Sequence, residues 1–385
     1  MNRFVLVVLL FVTSFASGQN TNSYNTVDSK MDAIPKENTS STASIVQYIT
    51  DNFQSEEDKI RAAFYWCAAN ISYDVESMYN QQPNQLTDDR IRKTLSTHKG
   101  VCADYVAVFN DIANKLGIKT HEVAGYTKQK GKVVLLSHVW SVSKIGGKWY
   151  LIDPTWGAGY VNEMQFIRHL ENNYFKSNPS EFILNHIPYD YSWQLLEHPI
   201  SNQDFYDNKS QPNDLTVSVD YDSLINNLDQ LSNEEAMKAS AQRVEKGGLK
   251  NKLIVDYLNM LNTNMDAAVK NANVKRLMGI SNDFSVATQQ YNAYIAFRNH
   301  KFEPEVSDDE LKSMIETPRN TVKRCLKEID GITNLSRENI KNNKAFIDNM
   351  HEFEKLTDIQ FQFVEDYLKK NKVGRKLSFV IPKKH

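Results

Sequence analysis

The chain has 385 residues, 45 Lys and Arg against 47 Asp and Glu, three Cys, and 41% hydrophobic residues. That balance suits a folded, water-soluble protein and argues against wholesale disorder and a multi-span membrane protein, while a net charge of −2 offers no footprint for nucleic acid. At roughly 100–200 residues per domain the chain has room for two or three domains, with core enough to need no disulfide staples.

Residues 1–19 read as a secretory signal. Arg3 gives the positive start, Phe4–Val12 is an unbroken apolar run, and Ala16-Ser17-Gly18 supply small residues for cleavage before Gln19. The run is shorter than the roughly 20 apolar residues of a membrane span, so the expectation is export to a periplasmic or extracellular compartment with no stable membrane span. Residues 20–44, polar and without period, read as a leader.

Ser55 with Asp58 makes a capping pair for a helix over Ser55–Asn70, in which Ile60, Ala63, Phe64, Cys67 and Ile71 recur at helical spacing. A loop over Val75–Leu86 leads to a short helix capped by Thr87. Val101–Leu116 is the next helix, ended by Gly117. The period then changes. Lys119–Thr127, Val133–Lys144 and Lys148–Asp153 have the β-branched and aromatic content of strands, and Gly146-Gly147 makes a hairpin turn. Helices followed by antiparallel strands define an α+β unit over residues 45–200.

Residues 201–212 read as a linker. Residues 213–385 are mainly helical, with capping pairs Ser232–Glu235 and Ser307–Glu310 and apolar faces at Ile254, Tyr257, Leu258, Leu261 and at Phe346, Met350, Phe353. The basic tail beyond Lys369 suits a solvated helix end. No motif identifies this region, and docking a protein partner is the role it suggests.

The chemistry concentrates in three stretches. Cys102, preceded by Gly100-Val101, opens a helix, where unpaired N–H groups and partial positive charge favour a thiolate nucleophile. His138 follows 36 residues later inside a strand, and Asp153 another 15 residues on, across the Gly-Gly hairpin. A hairpin can set His138 and Asp153 side by side, so the imidazole would take the thiol proton and the carboxylate would orient it. The backbone N–H of Cys102 is the first oxyanion donor, and no second donor is readable.

These stretches carry a resemblance. Lys99-Gly100-Val101-Cys102-Ala103-Asp104-Tyr105, Ser137-His138-Val139-Trp140 and Trp149-Tyr150-Leu151-Ile152-Asp153-Pro154-Thr155-Trp156 resemble the transglutaminase-like superfamily, with its papain-like Cys-His-Asp core. Tyr174-Phe175, Pro179-Ser180-Glu181-Phe182-Ile183 and His186-Ile187-Pro188 are similar to its kyphoscoliosis-peptidase branch. The likeness runs from about Ser55 to Leu196. It implies an α+β transglutaminase-like fold followed by a mainly α-helical domain, with Cys102 as nucleophile, His138 as base and Asp153 as orienting acid.

Plainer readings compete at each position. A free Cys is often a buried small hydrophobe, a lone His often a satisfied core residue, and Asp-Pro often starts a turn. Trp66, Tyr73, Trp140 and Trp156 are candidates to line the substrate cleft, although aromatics at such spacing usually fill the core. Asp104 suits a helix start and His98 a solvated loop. There is no Cys-x-x-Cys, no His-Glu-x-x-His and no phosphate loop, so no metal or cofactor is expected.

The expectation is therefore an exported thiol acyl-transfer enzyme acting on a protein or peptide. Water as acceptor makes it a peptidase or amidase, and a primary amine makes it a transglutaminase. The alternative is a non-catalytic module that keeps the fold and docks partners through its helical region.

Overall fold

The computed structural model describes residues 24–79, 86–209, 218–332 and 337–379. The secretory-signal reading lies outside them. The chain divides into two compact units, residues 1–261 and 262–385. Among the described residues no helix is long and apolar enough to cross a membrane.

The first unit opens with helices α1 (Asn25–Asp32) and α2 (Thr42–Asn52), so the stretch read as a leader is folded from Asn25 onward. Its polar composition conceals a short stripe: Val27 and Met31, four residues apart, are buried against α3 (Glu56–Asn70). Asp28 accepts two hydrogen bonds from Arg61, whose fully buried guanidinium lies 4.4 Å from the Tyr24 ring centroid. Ser55 caps α3 through the backbone N–H of Asp58, and its expected apolar stripe is fully buried.

A short strand β1 (Ser72–Tyr73) pairs in parallel with β2 (Lys99–Gly100). Helix α4 (Thr87–Thr97) lies between them. Its N-cap is Leu86, without a side-chain bond, and Thr87 is its first helical residue rather than its cap. Helix α5 (Cys102–Lys115) follows β2 directly. The three expected strands are β3 (Thr120–Gln129), β4 (Lys132–Ile145) and β5 (Lys148–Ile152), with Gly146 and Gly147 at positive φ in the turn. Then come the short helix α6 (Pro154–Ala158), the hairpin β6 (Gly159–Asn162) and β7 (Gln165–Arg168), the single turn α7 (Pro179–Phe182), and β8 (His186–Pro188). The main sheet is antiparallel in the order β5-β4-β3-β8. One hydrophobic cluster gathers α1, α2, α3 and α5 with Ile145 and Ile152 of the sheet, and a second is built from Val123, Trp140, Val142 and Leu151 with Phe182 and Ile225.

Gly125 sits at the centre of the sheet, opposite His138 on β4 and Pro188 on β8. A Cβ there would lie 2.2 Å from the carbonyl oxygen of Ile187, 2.5 Å from the Trp140 ring and 2.8 Å from Cα of Pro188. Two of these atoms are backbone and cannot swing aside. Gly125→Ala is expected to cost about 3 kcal/mol in a denaturant titration, at the upper end of what overpacking costs.

The first unit does not end at the expected linker. Residues Asn202–Tyr206 form helix α8, with Phe205 buried edge-on against Tyr126 and the Tyr126 hydroxyl donating to Asn202. Helices α9 (Tyr221–Leu228) and α10 (Asn233–Gly247) also belong to it: Ile225 joins the second cluster, and Arg243 holds the buried Asp190 through three hydrogen bonds. The division falls inside the 48-residue helix α11 (Lys252–Asn299).

The second unit is helical, as expected, with α12 (Asp308–Asp330), α13 (Arg337–Leu368) and α14 (Lys372–Leu377). Ser307 caps α12 by accepting the backbone N–H of Glu310. Its interior holds Ile280, Val322, Cys325, Met350 and, in a neighbouring cluster, Tyr294, Phe302 and Val364.

Candidate active site

The turn that presents Cys102 is fixed from both sides. Asp104, at the third position of α5, accepts the backbone N–H of Val101 at 2.7 Å through Oδ2 and the Arg90 guanidinium at 2.7 Å through Oδ1. A Cβ on Gly100 would lie 2.4 Å from that of Asp104, so the close turn needs glycine. Asp104 thus does start the helix, as the sequence suggested. Beside the turn, Tyr73 is in register with Gly100, and the N–H of Asp74 donates to the Gly100 carbonyl at 2.9 Å. Cys102 is the first residue of α5 and is 2% exposed.

His138 and Asp153 come together as expected. His138 Nε2 lies 2.7 Å from Asp153 Oδ2, and Cys102 is close enough to act on the charge of this imidazole. Burial by itself lowers the pKa of His138. The charge and hydrogen bond of Asp153, with smaller contributions from Cys102, overcome that and push it up to about 10. Asp153 is fully buried, which opposes its ionisation, yet its pairing with His138 and with His186 holds the carboxyl well below the usual carboxylate range. The same side chain caps α6, its Oδ1 accepting the N–H groups of Thr155 at 2.8 Å and Trp156 at 3.1 Å.

The four aromatic candidates separate. Tyr73 and Trp156 line a cavity of about 650 Å³ together with His138, Ser137 and Tyr174. Trp66 and Trp140 do not: both are fully buried, Trp66 in the helical cluster and Trp140 in the second cluster under the histidines. Aromatic spacing cannot tell which face of an element meets solvent, and here packing claimed both rings. His98 is exposed, with its ring nitrogen on the Asn70 carbonyl.

His186 was not among the residues expected at the site. It lies on β8, where Nε2 is 3.2 Å from Asp153 Oδ2, the oxygen that also serves His138. It is fully buried, stacked on Phe182 at 4.1 Å between ring centroids and set edge-on to Trp156 at 4.5 Å. Nothing in its spacing points to the site, because a three-residue strand pairing with β3 brings it there. Arg90 was also missed, since its partner Asp104 lies one helix further on. His138, Asp153 and His186 offer three atoms within 4.8 Å of one another, a set that a divalent ion also accepts, but those atoms already bond to each other.

Residues 43–154 match the transglutaminase-like superfamily. The chain is 29% identical over 169 residues to kyphoscoliosis peptidase of Mus musculus, covering 42% of this chain and 25% of that protein. It is 27% identical over 172 residues to kyphoscoliosis peptidase of Homo sapiens, covering 43% and 26%. Against Lim and transglutaminase domain protein ltd-1 of Caenorhabditis elegans it is 21% identical over 202 residues, covering 47% and 27%. The chain thus spans about a quarter of the length of each of these relatives. With the antiparallel sheet behind the helix that carries Cys102, these matches make residues 43–154 similar to the transglutaminase-like superfamily and the chain's matched stretch similar to kyphoscoliosis peptidase.

Proposed function

We propose that the chain is a thiol-dependent acyl-transfer enzyme in which Cys102 is the nucleophile, His138 the base and Asp153 its orienting acid. The observation that carries this reading is the pairing of His138 with Asp153 at 2.7 Å, in an imidazole whose pKa that carboxylate and, to a smaller extent, Cys102 raise against burial. Cys102 gives its proton to His138 before attack, which the raised pKa of that imidazole favours, and Sγ then attacks the carbonyl of a carboxamide or peptide. The oxyanion that forms is met by the backbone N–H of Cys102, which has no intrahelical acceptor at the first position of α5. Tyr73, which lines the cavity and whose hydroxyl pKa is raised first by burial and next by Cys102, is proposed as the second donor. His138 then protonates the leaving amine, and a thioester remains. Water or an amine, giving a proton back to His138, resolves it. The likeness to kyphoscoliosis peptidase leans the reading toward water. Export is proposed on residues 1–19 alone.

Tyr73→Phe keeps the ring and removes the donor. It is expected to lower kcat by about a hundredfold with little change in KM, in steady-state kinetics on any substrate found.

The test of the whole reading is alkylation of the folded protein with iodoacetamide, mapped by peptide mass spectrometry. Cys102 should react at neutral pH, while Cys67 and Cys325, both fully buried, should not. The near-complete burial of Cys102 favours a competing reading, a retired site in a partner-docking protein. On that reading Cys102 resists the reagent as the other two thiols do. Product analysis on candidate proteins and peptides then separates hydrolysis from amine transfer.

A further inference from the structure

Asp153 has a second histidine. Its Oδ2 faces Nε2 of His138 at 2.7 Å and Nε2 of His186 at 3.2 Å, while Oδ1 takes the two N–H groups of α6. Those four contacts leave the carboxylate no freedom to rotate. The strands explain how both imidazoles arrive: β4 and β8 pair with opposite edges of β3, with His138 opposite Gly125 and His186 opposite Thr127.

We propose that His186 is a positioning residue of this site: as a neutral imidazole it donates its Nε2–H to Asp153, sharing the oxygen that binds His138, and so fixes where the carboxylate points His138. This rests on the acyl-transfer reading, because it gives that site its fourth member.

Two observations support a neutral ring. Burial lowers the pKa of His186 to about 4 against the opposing pull of Asp153, and the charge of His138 pushes in the same direction as burial. The titratable groups that face it are Asp153 before α6, His138 on β4 and the Tyr174 hydroxyl, whose own pKa is pushed up to about 12, mainly by burial. Its remaining neighbours, Phe182, Trp140 and Trp156, carry no charge. Its other ring nitrogen, Nδ1, lies 2.5 Å from Oδ1 of Asn185, and a neutral ring with its proton on Nε2 requires the Asn185 amide turned over so that its –NH2 donates to Nδ1. A buried imidazole that stays neutral beside an imidazolium can still donate to the shared carboxylate without adding a second positive charge. It therefore steadies Asp153 and tempers how strongly that carboxylate holds the proton of His138.

The test is NMR of the imidazole nitrogens and of the proton between His138 and Asp153, in the wild type, His186→Phe and His186→Gln. His186 should remain neutral from pH 5 to 9 with its proton on Nε2. In His186→Phe, which keeps an aromatic ring but no donor, the His138–Asp153 proton should move downfield because Oδ2 then serves one imidazole. Alkylation of Cys102 at pH 7 should slow by about tenfold, the loss expected for a hydrogen bond to a charged group. His186→Gln, which retains an N–H donor, should restore most of both. The inference is overturned if His186 carries its proton on Nδ1, if it gains charge between pH 5 and 7, or if the shared proton is unmoved in His186→Phe. Should that variant fail to fold, the wild-type tautomer and His186→Gln still decide. Both imidazole signatures present beside an inert Cys102 would sink the enzyme reading while leaving the histidine pair intact.

Discussion

Cys102→Ala is expected to abolish acyl transfer, lowering the rate by about 10,000-fold or more while the protein stays folded. The size follows from the proposed roles: without the sulfur no thioester forms, and His138 with Asp153 has nothing to deprotonate. Members of such triads act as a unit, so the first one removed takes nearly all of the rate with it. The loss of packing is small, since one sulfur atom leaves a site already bounded by the first turn of α5, and about 1 kcal/mol covers it. Activity assays paired with thermal unfolding check both halves. Residual turnover above a hundredth of the wild-type rate would move the nucleophile elsewhere.

Asp153→Asn is expected to be nearly as damaging, by about 10,000-fold, for a different reason. The amide can still accept the N–H groups of Thr155 and Trp156, so the cap of α6 survives. What it cannot do is accept from His138 and His186 with its –NH2 turned toward them, and it carries no charge to hold an imidazolium. His138 would then lose the tautomer that faces Cys102. Stability should change with pH in a defined way. Burial opposes ionisation of both groups, but the pair overcomes it, holding Asp153 below its ordinary value near 3.8 and lifting His138 from 6.5 to about 10. The depressed carboxylate contributes stability above about pH 4 that is lost as pH falls through its folded value. The raised imidazole contributes fully below pH 6.5 and loses that contribution as pH rises through about 10. These are one interaction seen from two ends. The stability gap between wild type and Asp153→Asn should therefore be widest between those limits and close on both sides, as urea unfolding across pH would show.

The parts of the candidate site were legible in the sequence because they are local. A glycine before a cysteine at a helix start, and a His and an Asp flanking a tight hairpin, are each written within a few residues. The strands, the turn at Gly146-Gly147 and the caps at Ser55, Ser232 and Ser307 were readable for the same reason. What escaped depends on pairings far apart in the chain. His186 reaches Asp153 only because a three-residue strand joins the far edge of β3. Trp140 lies two residues from His138 on the same strand, yet it is sealed among Phe182 and the histidines instead of opening to the cavity. The first helix was hidden by polar neighbours, since two apolar residues and a buried ion pair suffice to anchor eight residues of chain. The linker read at residues 201–212 was misplaced because composition changes there, whereas the division of packing falls at residue 261.

That last point bears on how such domains are cut and recombined. A fragment ended at the composition change would keep the whole motif yet strip Ile225 from beneath the sheet and Arg243 from a carboxylate that is 2% exposed. It would present a greasy scar and an orphaned anion to water, and would tend to precipitate rather than work.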